Sequence, residues 1–382
     1  MGPVPRAGGG ADADTVRSLD YWLAISAKPP SVPQKMTTRR APVAGSPRTG
    51  FGDLFNLLHP QMEGLDRFLR SQLDQFEPEI RDLVEYCIDT SGKRIRPSLV
   101  FFSGWRGPQE VDSALVQAAA VVEMVHLATL VHDDIMDGAD LRRNRPTAAR
   151  RYGSDAAVLL GDALLAHAVH LAAQFPTPEI CRIVADATRR VCSGEITQTL
   201  RRGDTAVTLA DYRRIIDLKT AELFRVSCLL GSRLAGFDGG FVEAAAAFGR
   251  RLGMAYQMYD DLADFFGEER RIGKTLGTDL AGGKITLPLL VLLEKLAAGD
   301  RDELLREIRE GRPPQFARHR AQMEDLEVFG GVVESIYNEL DLGRGVLAPW
   351  SHLEAARLLE RFVGLLREQV VGLKADAPKQ EP

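Results

Sequence analysis

Between Phe51 and about Val370 the apolar positions recur almost throughout with helical spacing. Stretches such as "LDRFLRSQLDQF", "SALVQAAAVVEMVHLATLVHDDIMD", "DAAVLLGDALLAHAVHLAAQF" and "GRRLGMAYQMYDDLADFF" place side chains on one face at i, i+3, i+4 and i+7. Alanine and leucine dominate these runs, alternating β-branched stretches are absent, and glycines and prolines fall between them where helices stop. Several of the helices are apolar on most faces, the pattern of a helix inside a bundle and not on a sheet. The pattern predicts an all-α fold: one multi-helix bundle spanning 49–372, with no internal repeat of solenoid spacing.

The two ends are different. Residues 1–48 are rich in Gly, Pro, Ala and Ser, interrupted only by the apolar island "LDYWLAIS", and read as a disordered N-terminal arm. Residues 373–382 read as a loose C-terminal tail.

Composition narrows the classes. With 45% hydrophobic and 26% charged residues the chain can bury a large core. A net charge of −5 without a long basic block argues against a nucleic-acid surface. The four cysteines, Cys87, Cys181, Cys192 and Cys228, form no CxxC pair and have no ligand-like spacing to histidine, so neither zinc nor a disulfide framework is expected. No uninterrupted run of 18 apolar residues occurs and no secretory pattern opens the chain, so the expectation is a cytoplasmic protein without a transmembrane segment. A lipid-like product would still bring it against membranes at its periphery.

Candidate chemistry gathers at two acidic motifs. "HDDIMD" supplies Asp133, Asp134 and Asp137, the first and last one helical turn apart on one face. Like charges at that spacing destabilise a helix by a few tenths of a kcal/mol unless a cation offsets them. "YDDLADF" repeats the arrangement with Asp260, Asp261 and Asp264, on another apolar helix. A lone DDxxD is as often a solvated helix end as a site. Two of them on separate apolar helices suit a mouth where magnesium, which keeps several waters and takes few carboxylates, bridges a diphosphate. Basic residues flank both motifs: Lys93, Arg94 and Arg96 in "GKRIRP", Arg142 and Arg143 in "DLRRNRPT", then Lys219, Lys274 and Lys284. Any one of these cations alone would read as surface; together they suit phosphate oxygens. His126 lies two turns before Asp133 on the same face, a place for a core histidine or for a donor to phosphate.

These motifs, with "KTAELF" and "GKTLGTDLAGGKITLPLL", closely resemble the trans-isoprenyl diphosphate synthases, or polyprenyl synthetases, over about 92–290. The resemblance implies a helical bundle around a deep cavity with the two acidic motifs facing each other at its mouth. It implies Mg2+ as cofactor, about three ions per site. Asp133 and Asp137 would hold two and Asp260 a third, supported by Asp134, Asp261 and Asp264. Arg142, Lys219, Lys274 and Lys284 would contact an allylic diphosphate, and Lys93, Arg96, His126 and Arg143 would bind isopentenyl diphosphate. Thr220 and Gln257 match positions lining the reacting centre. Asn144 departs from the glycine common in relatives, and only local loop adjustment is expected. A homodimer is the family habit.

Chain length is read from the helix before the first motif. Ala128 and Thr129, five and four residues upstream of Asp133, are small where short-chain relatives typically carry an aromatic floor. The expectation is a trans-polyprenyl product of roughly six or more isoprene units, the depth of the apolar tunnel setting the limit. A fifteen- or twenty-carbon synthase is the near alternative. A class I terpene cyclase fits less well, because Asp264 occupies its Ser/Thr position; a regulatory subunit fits less well, because both acidic motifs are complete.

Overall fold

The computed structural model describes residues 54, 56–88, 92–107, 111–268, 276–312 and 315–375. The expected N-terminal arm lies outside them. The described residues belong to one compact unit.

Sixteen helices are numbered here in chain order among the described residues: α1 His59–Ser71, α2 Pro78–Ile88, α3 Ile95–Ser103, α4 Ser113–Met136, α5 Ala148–Tyr152, α6 Ser154–Ala173, α7 Pro178–Leu200 and α8 Leu209–Ile216. There follow α9 Glu222–Leu234, α10 Gly239–Phe266, α11 Thr278–Ala281, α12 Leu287–Lys295, α13 Ala298–Glu310, α14 Phe316–Asp325, α15 Val328–Leu347 and α16 Glu354–Ala375. The last helix runs to Ala375, past the expected start of the C-terminal tail at 373, and 376–382 lie outside the described residues. Between α4 and α5 stands a hairpin of two-residue strands, β1 Leu141–Arg142 and β2 Arg145–Pro146, in the register Leu141↔Pro146 and Arg142↔Arg145. The all-α expectation holds.

Packing is organised around α4 and α10. α4 lies against α3, α6 and α9, while α10 lies against α9, α15 and α16. Asp112 starts α4, its carboxylate accepting from the N–H groups of Ala114 and Leu115, a cap worth about 1 kcal/mol. Small residues Ala118, Ala119 and Ala120 are fully buried, which lets neighbouring helices approach α4 closely. Gly253 does the same for α10: a Cβ there would stand 2.6 Å from Ala221 Cα. The two helices that bear the acidic motifs are thereby fixed by core packing through most of their length, and the motifs sit where each helix ends.

By length and composition two helices could cross a membrane, α4 at mean hydropathy 1.8 and α6 at 1.6. This is a matter of length and composition alone, since a window with few charges passes without an unbroken apolar run. In α4 the window is 72% buried within the protein, the signature of a core helix, against 39% in α6. Val158 and Leu159 of α6 and Ile196 and Leu200 near the end of α7 are exposed. As α6 and α7 are joined by a short link and pack on each other, these residues lie at the same end of the pair.

Candidate active site

α4 ends inside the first acidic motif, and the chain turns back immediately. Gly138 takes φ +60° and the hairpin turns through Arg143 (φ +52°) and Asn144 (φ +60°), the left-handed pair that a two-residue hairpin turn requires. Asparagine is, after glycine, the residue best suited to that conformation, which is why Asn144 stands in for glycine without disturbing the loop. The turn lays Arg142 on Asp134, with Nε 2.7 Å and Nη2 2.6 Å from Oδ1. Asp134, expected among the metal-facing carboxylates, is buried and holds this arginine instead of facing the mouth.

Asp133 is partly exposed and Asp137 exposed, and each meets cations. Lys219 Nζ is 3.6 Å from Asp133; Lys284 Nζ is 2.8 Å and Arg202 Nη2 2.6 Å from Asp137. Burial raises the Asp133 carboxyl to about 6, with Glu195 and Asp137 adding to the rise against the pull of Lys219. Burial would raise Asp137 too, but Lys284, with Lys219 and Arg202, outweighs it and holds Asp137 below the ordinary carboxylate range.

Lys219 and Thr220 reach the site because the helix between α8 and α9 widens. Asp217–Ala221 form a π-helical turn, the kind of insertion found mostly at functional sites. Arg190 on α7 spans its two ends, 3.9 Å from Asp217 and 3.0 Å from Glu222, and Arg250 binds Asp217 at 2.8 Å. Gly194 lets α7 touch the turn itself, since a Cβ there would stand 2.6 Å from the Lys219 nitrogen. Lys219 then pairs with Glu195 and donates to Gln198 Oε1 at 2.9 Å. Burial alone would lower its ammonium, but Asp133 and Glu195 raise it above the ordinary value.

The second motif is built differently. Asp261 and Asp264 are buried, at 3% and 0% exposure. Asp261 accepts from Tyr212 and from Gln257, both at 2.7 Å, and Gln257 in turn accepts from the Thr220 hydroxyl at 2.6 Å. Asp264 accepts from the Thr278 hydroxyl at 3.1 Å and from the Asp279 N–H at 3.2 Å. Its expected place among metal ligands gives way to that of an anchor for the first turn of α11, because a carboxylate with no exposure has its lone pairs directed at protein donors. Asp260 alone of the three is partly exposed, within electrostatic reach of Lys93 and Arg142.

Of the residues expected to bind isopentenyl diphosphate, Arg96 and His126 are in contact, Nη1 to Nε2 at 3.0 Å. The Arg96 guanidinium also lies 4.8 Å over the Phe224 ring. Burial, then Arg96, Arg143 and Arg142, push the His126 imidazole well below its ordinary value, so it is neutral and its lone pair can accept from Arg96. Arg143 lies on Gly92, where a Cβ would stand 2.2 Å from its Nη1. Lys93 is within electrostatic reach of Asp260: burial lowers its ammonium and Asp260 partly restores it. Lys274 lies outside the described residues. Thr129 is half-buried on the face that carries His126 and Asp133, its hydroxyl donating to the His126 carbonyl at 2.8 Å, whereas Ala128 is 1% exposed and packed inside the bundle.

Four contributors escaped the sequence reading: Glu195, Gln198, Arg202 and Tyr212. The first three recur at i, i+3 and i+7 in "SGEITQTLRR", a polar face on an otherwise mixed helix that could have been singled out. Tyr212 carried no such signal, being one more aromatic in an amphipathic turn.

Do these residues suit magnesium? Among the described residues no group of three or more potential ligands stands preassembled. The site instead concentrates partly exposed carboxylates, one of them raised chiefly by burial, and neutralises them with lysines and arginines on long side chains. That donor set fits a hard cation taking one or two carboxylates, water and phosphate oxygens, with the displaced ammonium and guanidinium groups free to turn to the phosphates.

A helical bundle carrying two acidic helix ends within reach of one arginine, Arg142, and each bordered by cations suited to phosphate defines a class of enzyme that handles diphosphates. The polyprenyl synthetase family model matches residues 77–325. The chain belongs to that family, and it is a trans-prenyltransferase. It is 34% identical over 288 residues to octaprenyl diphosphate synthase of Haemophilus influenzae, covering 71% of this chain and 87% of that one. It is 35% identical over 231 residues to nonaprenyl diphosphate synthase of Mycobacterium tuberculosis, covering 60% and 69%. The crystal structure of polyprenyl synthase from Caulobacter crescentus, complexed with calcium and isoprenyl diphosphate, superposes with a TM-score of 0.77 at 30% identity, covering 84% of this chain and 98% of that one.

Proposed function

We propose that this enzyme condenses isopentenyl diphosphate head to tail with an allylic diphosphate, with magnesium, and releases a trans-polyprenyl diphosphate of about thirty carbons or more. The observation that carries the reading is the pairing of Asp133 and Asp137 with Lys219, Lys284 and Arg202, a set of opposite charges that a metal–diphosphate pair can replace one for one.

Asp133, Asp137 and Asp260 hold the metal, which when bound supplies Lewis-acid charge to the leaving diphosphate. Lys219, Lys284 and Arg142 then bind its oxygens, so negative charge developing as the allylic C–O bond ionises meets fixed cations. Arg96, Arg143, Lys93 and neutral His126 hold the second diphosphate and so present the isopentenyl double bond to the allylic carbon. The hydroxyl of Thr220 and the amide of Gln257 border the reacting centre with dipoles. Packed apolar helices keep out the water that would quench the cation.

The long product rests on Thr129: a small side chain, not an aromatic, stands on the Asp133 face one turn deeper. Names of the similar relatives, octaprenyl and nonaprenyl synthases, point the same way. The exposed apolar residues Val158, Leu159, Ile196 and Leu200 support a homodimer through α6 and α7. We place the enzyme in the cytoplasm, with peripheral membrane contact at product release.

The test is a product assay of purified protein with magnesium, labelled isopentenyl diphosphate and farnesyl diphosphate, the products dephosphorylated and sized by chromatography. A ladder ending at about thirty carbons or beyond is expected. Termination at fifteen or twenty would overturn the chain-length reading, and absence of incorporation with several allylic primers would overturn the reaction.

A further inference from the structure

The strongest unassigned feature is a buried chain of hydrogen bonds that begins outside the substrate site and ends in it. Tyr212, on α8, is 3% exposed and donates its phenolic proton to Asp261 Oδ2 at 2.7 Å. Asp261 Oδ1 accepts from Gln257 Nε2 at 2.7 Å, and Gln257 Oε1 accepts from Thr220 Oγ1 at 2.6 Å. Tyr212 itself reaches Gln257 and Thr220, which border the reacting centre, only through Asp261.

We propose that Tyr212 is a positioning residue for the prenyl transfer, acting through Asp261 and Gln257 to fix the direction in which Thr220 donates its proton. The inference rests on the reaction proposed above.

An amide presents a donor at one end and an acceptor at the other, so its orientation decides what it asks of each neighbour. Both Asp261 oxygens accept in this arrangement, Oδ2 from Tyr212 and Oδ1 from Gln257 Nε2, which turns the Gln257 NH2 group towards Asp261. Its Oε1 is then left for Thr220, whose hydroxyl must donate. A threonine hydroxyl that donates away from the cavity turns its lone pairs towards it, where positive charge develops on the allylic carbon. Tyr212 completes the second half of the Asp261 carboxylate. With that donor removed the carboxylate is free to rotate about its Cβ–Cγ bond, and the Gln257 amide loses the fixed acceptor that orients it. Three of the four residues are buried, Tyr212 at 3%, Asp261 at 3% and Thr220 at 6%, so water does not readily replace a missing partner, and a chain of this kind in a low dielectric couples more strongly than its pairs suggest.

The π-helical turn gives the arrangement its reach. α8 ends at Ile216 and the widened turn starts at Asp217. Tyr212 is therefore on the helix that leads directly into Thr220, while Asp261 and Gln257 are on α10. The two elements are tied at both ends of the chain, once by Tyr212 to Asp261 and once by Thr220 to Gln257, so the tyrosine sets the register between the turn and the second acidic helix.

A double-mutant cycle separates this from a structural role. Tyr212→Phe keeps the ring in the core and removes one hydroxyl; Thr220→Val removes the end of the chain at nearly constant volume. Wild type, both single variants and the double variant are compared for kcat and KM in the isopentenyl and farnesyl diphosphate assay. Binding of non-reactive farnesyl thiodiphosphate with magnesium is measured by calorimetry. Tyr212→Phe is expected to lower kcat about tenfold, the scale of one well-placed hydrogen bond, with KM and analogue affinity within about twofold of wild type. In the Thr220→Val background the same change is expected to cost less than about twofold, because residues that act through one another are not additive. Full additivity, an unchanged kcat in Tyr212→Phe, or a loss of analogue affinity matching the loss of turnover would each overturn the proposal. Should Tyr212→Phe not fold, Asp261→Asn takes its place in the cycle with the same expectation and the same contradiction. Inactive wild type would overturn the proposed reaction, whereas active wild type with an additive cycle would overturn only the role of Tyr212.

Discussion

The two acidic motifs share a spacing and little else. At the end of α4, Asp133 and Asp137 are open to Lys219, Lys284 and Arg202, all within 3.6 Å, and only Asp134 is buried. At the end of α10 the proportions are reversed: Asp261 and Asp264 are buried on Tyr212, Gln257, Thr278 and the Asp279 N–H, and Asp260 alone reaches the mouth. The cause is the helix each motif ends. α4 finishes at Met136 and leaves Asp137 past its last turn, whereas α10 continues to Phe266 and carries the second motif into its packed interior. The same three aspartates therefore make a two-point clamp in one place and, in the other, one ligand on a scaffold of hydrogen bonds. Like residues at like spacing take their roles from what surrounds their oxygens.

The largest expected effect is on the clamp. Asp133→Ala or Asp137→Ala should lower turnover by roughly 10³ or more, since both metal contact and the charge balance around Lys219 and Lys284 are lost, while circular dichroism keeps its helical signal. Asp260→Ala should cost turnover on the order of 10² under the same assay. Asp264→Asn inverts the contrast: one buried oxygen becomes a donor facing donors, and thermal unfolding should fall by an amount equivalent to about 1–3 kcal/mol, with a smaller loss of turnover than Asp260→Ala. On the α4 face, Thr129→Phe should shorten the product by one or more isoprene units on chromatography, and Ala128→Phe, placed in the packed interior, should lower stability more than it shifts product length. The smallest effect belongs to the hairpin that folds Arg142 onto Asp134. Asn144→Ala should cost about 1 kcal/mol through its left-handed backbone, and Asn144→Gly close to nothing, both read from thermal unfolding.

Most of the fold was legible in the sequence because helical periodicity and the placing of Gly and Pro are local signals. The acidic helices and their flanking cations were legible through motif spacing, and a facing arrangement of the two motifs was implied only by the family resemblance. What stayed hidden was set by packing. The π-helical turn that aims Lys219 and Thr220 depends on Gly194 and on Arg190 bridging Asp217 and Glu222, partners that no periodicity of their own segment announces. The split between Asp260 and its two buried neighbours depends on α11 and α8 arriving alongside α10. The apolar faces of α4 and α6 look alike in the sequence, yet one is core and the other is half open, a difference that comes from which helices cover them.

The division of labour between the motifs is tested most directly by the magnesium dependence of turnover in Asp137→Asn, Asp260→Asn and Asp264→Asn beside wild type. The account predicts that Asp137→Asn and Asp260→Asn raise the half-saturating magnesium concentration by about tenfold or more, roughly the 1.4 kcal/mol of a lost charged contact. Asp264→Asn should leave that midpoint within about twofold while its unfolding temperature falls. A midpoint for Asp264→Asn displaced as far as that of Asp137→Asn would contradict it, and would return Asp264 to the metal.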